Sequence, residues 1–311
     1  MNWKLKAKIQ RVVSWLPSSI SYTVYYWIQR NLGGLISVDP SDGLTSGVEV
    51  WLKIQSQNID PQGKVFFEVG TGRVPLAPMA YWLMGAGKTI TVDLNPYVKK
   101  ELVAEALEYI HANKALILTI FGGLVKKDRF EQLLELSYDE NFKLSDMLTL
   151  CQIEYIAPGD ASKVSLISNC IDFHTSYNVF EHIPKEILES ILNEGKRLLK
   201  KSGLGIYRID YSDHFSHSDF NITQINFLQY SDSEWEKYSG NRYMYMNRMR
   251  HDDFLALFES CKQNVIMCEA STCKDLKTLL DEGMLRLNER FVSKSKEILA
   301  TNSSWIISKN D

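Results

Sequence analysis

The sequence contains few cysteines, and none of them forms a C-x-x-C pair. Its 311 residues include five, an odd number, at Cys151, Cys170, Cys261, Cys268 and Cys273. Disulfide-stabilised secreted domains use cysteines in even numbers, and structural zinc sites use closely spaced pairs. We therefore expect free thiols, a reducing compartment such as the cytoplasm, and no structural zinc site.

The sequence also lacks a long apolar run and an excess of positive charge. No apolar segment approaches the ~20 residues that span a bilayer, and we find no signal-peptide pattern. The net charge is −3, which argues against a nucleic-acid-binding surface. Hydrophobic residues make up 45% of the chain, enough for one large domain or two small ones.

What the sequence does contain is an apolar run followed by two glycines, and a second run followed by an acidic residue. The first is Val65–Val69, followed by Gly70-Thr71-Gly72, and the second is Thr89–Val92, followed by Asp93. We predict two strands joined by a helix. Glycine lets the main chain approach a ligand closely, and a carboxylate at a strand tip can accept two hydrogen bonds from a ribose diol. The pattern predicts a site for an adenosine-type cofactor.

The glycine spacing favours one cofactor over another. A dinucleotide fingerprint has the form G-x-G-x-x-G, whereas Gly72 is followed here by Arg73-Val74-Pro75. Glu68, just before the loop, would repel a pyrophosphate but suits a cationic ligand that carries an amino group. We therefore favour S-adenosylmethionine (SAM). An NAD-binding oxidoreductase is the alternative, and Gly70 and Gly72 could also serve only a tight turn.

At this point the sequence resembles the class I SAM-dependent methyltransferases. The motifs that carry the resemblance occur in the expected order: the glycine motif at 68–72, the acidic residue Asp93, the acidic turn at 158–162, the strand and loop at 171–183 with the run Tyr-Asn-Val-Phe-Glu-His-Ile, and the helix end at 198–204. The resemblance covers about residues 61–210 and a terminal strand. It departs from the family pattern at the missing third glycine.

The resemblance implies both a fold and a cofactor site. The implied fold is an α/β class, doubly wound, mostly parallel seven-stranded sheet of the Rossmann-like methyltransferase type, at 61–311. We expect an N-terminal helical extension at 1–60 and insertions at about 110–150, 211–250 and 272–300. The implied cofactor residues are Glu68, Gly70 and Gly72 at the methionine end, Asp93 at the ribose, Asp160 and Ala161 at the adenine, and Thr71, Leu94 and Asn178 beside them.

Candidate catalytic residues follow the predicted fourth and fifth strands. His182 is the first candidate base, although it could instead bond to the main chain at a helix cap. Asp213, His214 and His217 lie in one polar run and could provide a base, bind acceptor hydroxyls or hold a divalent metal. We predict acceptor binding and base chemistry there, with an ordinary polar loop as the alternative, and no metal site.

The predicted reaction is O-methylation of a small molecule or a glycan. An N-P-P-Y-type tetrad, which amide and base N-methyltransferases carry after the fourth strand, is absent, and Ser176-Tyr177-Asn178-Val179 occurs instead. This favours a hydroxyl acceptor over a nucleobase. The aromatic, amide and guanidinium side chains of 211–250 suit a polyhydroxylated or anionic acceptor, because rings stack on sugars and guanidinium groups bind anions.

The N-terminal segment is basic and amphipathic. No acidic residue precedes Asp39, and Lys4, Lys6, Lys8 and Arg11 alternate with apolar side chains at helical spacing. Such a helix can lie in a membrane interface, so residues 1–30 are a candidate for peripheral contact with the inner face of the membrane. We favour the alternative that the helix packs on the domain. A non-catalytic, membrane-docked protein is the second rival function.

Overall fold

The computed structural model describes residues 1–137 and 141–310, so residues 138–140 of the predicted insertion at 110–150, and residue 311, lie outside it. One sheet has the order β3-β2-β1-β4-β5-β7-β6. Its strands are β1 (Val65–Val69), β2 (Lys88–Val92), β3 (Ile153–Ile156), β4 (Ile171–Tyr177), β5 (Leu199–Asp210), β6 (Asn264–Thr272) and β7 (Thr301–Lys309).

The strand directions confirm the predicted fold class. The pairs β3–β2, β2–β1 and β1–β4 are parallel. The order 3-2-1-4-5 is that of a doubly wound sheet. Main-chain bonds join Ser202 to Asn310 at one end of β5 and Tyr211 to Asn302 at the other. Strand β7 is therefore antiparallel to β5, and it lies between β5 and the edge strand β6 of a mostly parallel seven-stranded sheet.

Helices connect these strands and occur in each of the three predicted insertions. They are α1 (Trp3–Ser14), α2 (Ser18–Leu32), α3 (Ser41–Gln55), α4 (Leu76–Met84), α5 (Lys100–Ala112), α6 (Lys114–Phe121), α7 (Lys127–Leu136), α8 (Leu144–Leu150), α9 (Lys185–Leu198), α10 (Asp232–Ser239), α11 (His251–Ser260), α12 (Lys274–Asp281), α13 (Glu289–Val292) and α14 (Lys296–Ala300). Short 3-10 helices cover Phe180–His182 and Asn226–Gln229. Among the described residues, no helix combines the length and the apolar character that a membrane span requires.

The chain divides into two compact units. The first unit comprises Met1–Ile36, Asn178–Glu189 and Arg208–Ile306, and the second comprises Ser37–Tyr177, Ser190–Tyr207 and Ile307–Asp311. The division cuts through the predicted extension at 1–60, because α1 and α2 belong to the first unit and α3 to the second.

The core of the second unit is built on β1. Phe66 and Phe67 are both fully buried, because a parallel strand is covered on both faces. The Phe66 ring stacks on Tyr81 at a centroid distance of 4.4 Å and on Trp51 at 6.0 Å. Helix α4 ends at Gly85, whose φ of +114° is a left-handed conformation that suits glycine. This packing fixes β1 and the loop that follows it.

The core of the first unit is aromatic and includes the N-terminal helix. Trp3 is buried, and its ring centroid lies 5.3 Å from that of Phe215 and 4.7 Å from that of Tyr238. The Trp3 amide donates to a carboxylate oxygen of Asp219 at 2.9 Å. One face of α1 therefore packs on the 211–250 segment, as the favoured interpretation of the N-terminus predicts.

Candidate cofactor site and histidine cluster

The predicted cofactor residues of the second unit lie on loops that leave one edge of the sheet. Val69 at the end of β1 pairs with Val92 at the end of β2, and Val92 pairs with Ile156 at the end of β3. Ligands of doubly wound sheets bind at this carboxyl edge. The register alone therefore places the loops at 70–72, 93–95 and 157–161 beside one another.

The loop after β1, residues 70–72, has an accessible main chain. Gly70 and Gly72 have φ angles of +92° and +72°, which L-residues with a side chain rarely adopt. The Gly70 amide donates to the Val92 carbonyl at 2.9 Å. The space beside the Gly72 Cα is open, since an added Cβ would meet no atom within 4 Å. Thr71 is buried, with its hydroxyl 2.7 Å from that of Thr91.

Asp93, which directly follows strand β2, is hydrogen-bonded to this loop. One carboxylate oxygen accepts from the Gly72 amide at 3.1 Å, and the other accepts from the Asn95 amide at 3.3 Å. Burial raises the pKa of Asp93, although these main-chain amides oppose the shift. Each oxygen has two lone pairs, so the carboxylate can still accept hydrogen bonds from a diol. Asp93 and Gly72, predicted from separate strands, are thus in direct contact.

The remaining predicted cofactor residues of this unit border the same edge. Leu94 is 72% exposed. The Gly159 amide donates to the Asp93 carbonyl at 2.9 Å, which ties the 157–161 loop to the tip of β2. Asp160 is exposed and accepts from the Ser162 amide at 2.9 Å, and Ala161 is partly buried. These residues could cover a purine, but none of them has an evident structural reason to select one.

Glu68 has protein partners. It is buried, and its carboxylate accepts hydrogen bonds from the hydroxyls of Tyr81, at 2.9 Å, and Thr175. Burial raises its pKa to about 7 despite these two bonds, and the pKa of Tyr81 is also well above its usual range because of burial. Contact between Glu68 and a ligand amino group stays a prediction.

In the first unit, the segment after β4 carries a buried acidic residue beside a histidine. Asn178 has φ +53° and donates its amide to the Arg208 carbonyl at 2.9 Å. Neither carboxylate oxygen of Glu181 has a hydrogen-bond partner, and burial raises its pKa well above its usual range. His182 Nδ1 lies 2.8 Å from the Tyr245 carbonyl. Burial, with His214 nearby, lowers the pKa of His182 to about 4.

Two further histidines lie next to His182. The His214 ring centroid is 4.7 Å from that of His182 and 4.8 Å from that of His217. His214 Nε2 lies 3.3 Å from a carboxylate oxygen of Asp210. Burial raises the pKa of Asp210, but hydrogen bonds from His214 and Ser212 outweigh it and bring the pKa to about 2. The structure therefore brings together the three predicted histidines.

Asp213 stands apart from this cluster in its contacts. It is fully buried, and its two oxygens accept from the Phe215 amide at 2.9 Å and the Asn226 side chain at 3.0 Å. Burial raises its pKa to about 6 against these bonds. Its side chain thereby ties together two parts of the 211–250 segment.

Sequence reasoning missed Glu181, Asp210 and Tyr245. Glu181 lies between the apolar residues Phe180 and Ile183, and a buried acidic side chain is unusual. Asp210 is the last residue of β5, and Asp93 directly follows β2, so an acidic residue at a strand tip is a recognisable signal. Tyr245 contributes only its main-chain carbonyl, so its identity carries no signal.

The sequence matches no protein-family model and no curated protein. The structure is similar to solved SAM-dependent methyltransferases. One, from Methanosarcina mazei, is 12% identical with a TM-score of 0.44, over 83% of this chain and 96% of that one. One from Mesorhizobium loti is 10% identical with a TM-score of 0.46, over 85% and 99%. A geranyl diphosphate methyltransferase in complex with SAM is 10% identical with a TM-score of 0.43, over 86% and 85%. These similarities are too low to assign an activity.

Proposed function

We propose that this protein is a SAM-dependent methyltransferase that acts on a hydroxyl group of a small molecule or a glycan. The observation that carries the proposal is the bond from the Gly72 amide to Asp93, at the edge where β1 and β2 end. The bond holds a glycine loop, whose main chain is accessible, beside a carboxylate that can accept further hydrogen bonds. That combination fits an adenosine-type ligand.

The start of helix α4 favours SAM over a dinucleotide. A pyrophosphate binds helix N-termini through free main-chain amides. Here Pro75 and Pro78 have no amide hydrogen, the Leu76 amide donates to the Val74 carbonyl at 2.8 Å, and the Met79 amide donates to the Pro75 carbonyl. The first turn has little left to offer a pyrophosphate, so a ligand with a sulfonium and an amino group fits better than NAD.

The cofactor residues then have distinct roles. Asp93 would accept the ribose hydroxyls, and the main chain of Gly70, Thr71 and Gly72 would contact the methionine end. Leu94, Asp160 and Ala161 would border the adenine, and Glu68 would hold the loop through its bonds to Tyr81 and Thr175. When bound, SAM supplies an electrophilic methyl group.

The acceptor residues come from the first unit. His182, His214 and His217 would bind and orient the acceptor hydroxyl, because imidazole nitrogens can accept its hydrogen bond. Asp213 would act indirectly by holding the 211–250 segment through Asn226. Asn178 lies in the same segment as His182, and its side-chain oxygen is buried without a hydrogen-bond partner; its contact with the cofactor stays a prediction.

A transfer assay tests the acceptor class. The full chain is incubated with methyl-labelled SAM and a panel of phenols, glycans and matched amines. We expect label in alkali-stable O-methyl groups and release of S-adenosylhomocysteine. Label transferred only to amines would contradict the hydroxyl assignment, whereas S-adenosylhomocysteine binding without transfer would retain the cofactor site and reject the acceptor panel.

We also propose peripheral membrane contact through residues 1–30. Helix α1 buries Trp3, Ala7 and Val13, yet Leu5, Ile9 and Val12 form an exposed stripe at helical spacing on its other face. Lys4 and Lys8 are exposed beside it, and Trp15 is 72% exposed. Apolar side chains flanked by basic ones suit an anionic bilayer surface.

Vesicle flotation tests this contact with the full chain and a Leu5→Ser, Val12→Ser, Trp15→Ser variant. We expect the wild type to float with phosphatidylserine vesicles but not with phosphatidylcholine vesicles, and the variant to stay at the bottom in both. Equal behaviour of the two proteins would reject the proposal. Dimerisation that the triple change abolishes would instead identify the stripe as an interface between two copies.

A further inference from the structure

The first unit contains a group of side chains with the composition of a metal site. Glu181, His182 and His214, which we call the Glu181 cluster, each offer one ligand atom, and these atoms all lie within 4.8 Å of one another. Two imidazoles and one carboxylate are a frequent ligand set for zinc and related divalent metals. Mg²⁺ and Ca²⁺ prefer oxygen ligands and suit this set less well.

Glu181 gives an independent indication of a ligand. Its side chain is only 3% exposed, and neither carboxylate oxygen has a partner within hydrogen-bond geometry, although the main-chain amides of Glu181 and Asp210 act to lower its pKa. Its oxygen Oε1 lies 3.9 Å from His214 Nε2, too far for a hydrogen bond. A buried polar group without a partner is costly, and such groups in proteins usually have a bound ligand, ion or water to account for them.

One of the two histidines, His182, is oriented as metal ligands usually are. A hydrogen bond from His182 Nδ1 to the Tyr245 carbonyl leaves Nε2 with its lone pair available. Metal-binding histidines commonly donate their second nitrogen to a main-chain carbonyl or a carboxylate in this way. His214 has a carboxylate oxygen of Asp210 at 3.3 Å from the same Nε2 that faces Glu181.

The distances are close to those of a metal site. Two ligand atoms at usual zinc bond lengths in a tetrahedral arrangement are about 3.4 Å apart. The separation from His214 Nε2 to Glu181 Oε1, 3.9 Å, is close to this value. Small side-chain rotations would thus suffice to place a cation between these atoms.

We propose that Glu181, His182 and His214 bind one divalent cation of the zinc type, and that the cation takes the His214 Nε2 that otherwise bonds to Asp210. Three protein ligands leave one coordination position for water or another oxygen ligand. That position could hold an acceptor hydroxyl, and the cation would then replace the direct hydrogen bonds to His182 and His214; this role rests on the proposed methyl transfer. The binding of the cation does not rest on it.

The overlapping set Asp210, His214 and His217 is the weaker alternative. Its ligand atoms are also within 4.8 Å of one another. However, His217 is exposed and its Nε2 lies 3.1 Å from the Ser212 hydroxyl, while Asp210 already accepts from the Ser212 amide at 2.7 Å. These residues have partners without a metal, whereas Glu181 does not.

Calorimetric titration of the chelator-stripped full chain with Zn²⁺ tests the proposal, and Co²⁺ reports ligand geometry through its absorption bands. The background is Cys268→Ser, because the Cys268 thiol lies 3.3 Å from His251 Nε2 and could bind zinc itself. The variants are Glu181→Gln and His182→Asn, with His217→Asn as the matched control. Circular dichroism and S-adenosylhomocysteine affinity check that each variant is folded.

We expect one Zn²⁺ per chain, tetrahedral Co²⁺ bands, and no heat with Mg²⁺ at the same concentration. Glu181→Gln and His182→Asn should each weaken binding at least ~10–100-fold, the loss seen even for outer-sphere partners, and His217→Asn should change it less than about tenfold. Three results would each overturn the proposal. The first is that the Cys268→Ser chain, without any further change, no longer binds Zn²⁺. The others are unchanged Zn²⁺ affinity in folded Glu181→Gln, and a loss of affinity in His217→Asn as large as that in Glu181→Gln. S-adenosylhomocysteine binding should survive in every variant, so failure of the metal site is distinguishable from failure of the cofactor site.

Discussion

The amide of Gly72 donates a hydrogen bond to the carboxylate of Asp93 at 3.1 Å. These residues lie at the tips of neighbouring parallel strands, since Val69 pairs with Val92. The bond fixes the orientation of Asp93 and the path of the glycine loop at the same time. It makes the loop and the carboxylate one structural feature, on which the proposed cofactor site depends.

Replacement of Asp93 should weaken cofactor binding. Asp93→Ala removes the acceptor of the ribose hydroxyls and frees the Gly72 amide, so we expect S-adenosylhomocysteine affinity to fall by ~1–3 kcal/mol. Titration calorimetry measures this. Asp128→Ala, an exposed acidic residue at the start of α7, is the matched control and should leave the affinity unchanged. Equal affinities of the two variants would reject Asp93 as a ligand.

A side chain at Gly72 should cost both stability and binding. Its φ of +72° disfavours any L-residue by ~1–2 kcal/mol, although the added Cβ meets no atom within 4 Å. Gly123, with φ +87° and equally open space, is the control. Urea unfolding should show similar losses for Gly72→Ala and Gly123→Ala. Only Gly72→Ala should lose S-adenosylhomocysteine affinity, and a loss common to both would point to unfolding rather than contact.

The buried carboxyl of Glu68 should make stability depend on pH. Its pKa is about 7 in the folded chain, above the ordinary 4.5, so the folded state retains a proton that the unfolded state loses first. The stabilisation that this proton gives the folded state is complete below about pH 4.5. As the pH rises to about 7, the free energy of unfolding falls by up to ~3 kcal/mol. Urea unfolding of Glu68→Gln between these pH values should show a shallower decline than the wild type. Parallel curves would disprove the prediction.

Trp3 should anchor the N-terminal helix. It is buried among aromatic rings, and truncation of such a side chain costs ~3 kcal/mol or more. Trp15, which is 72% exposed, is the matched control. Trp15→Ala should lower the free energy of unfolding by less than ~0.5 kcal/mol. Urea unfolding followed by circular dichroism compares the two. A Trp3→Ala variant as stable as Trp15→Ala would show that α1 contributes little to the core of the first unit.

The sequence was sufficient to predict the sheet and the two elements that meet at its edge. Val65–Val69, the two glycines and Asp93 give strong local signals, because apolar runs, tight turns and strand tips leave patterns within a few residues. Strand bounds were predicted less well. Residues 198–204 were expected to end a helix and form a turn, but β5 already begins at Leu199. Strand β6, from Asn264 to Thr272, lies at the sheet edge, where its side chains are largely exposed and carry little apolar pattern.

The histidine cluster shows what one sequence cannot reveal. His182, His214 and His217 were chosen individually, but the isolation of the Glu181 carboxylate depends on what surrounds it in three dimensions. Likewise, the bonds of Glu68 to Tyr81 and Thr175 join residues 13 and 107 positions apart, and neither pair has a sequence signature.

Thermal unfolding with S-adenosylhomocysteine or NADH is the most direct test of the central claim. A ligand that binds only the folded state stabilises it by ~2.7 kcal/mol at a hundred times its Kd. We predict that S-adenosylhomocysteine raises the Tm of the wild type, that Asp93→Ala loses most of this shift, and that NADH has no effect. A Tm raised by NADH alone, or the same shift with S-adenosylhomocysteine in wild type and Asp93→Ala, would contradict the account.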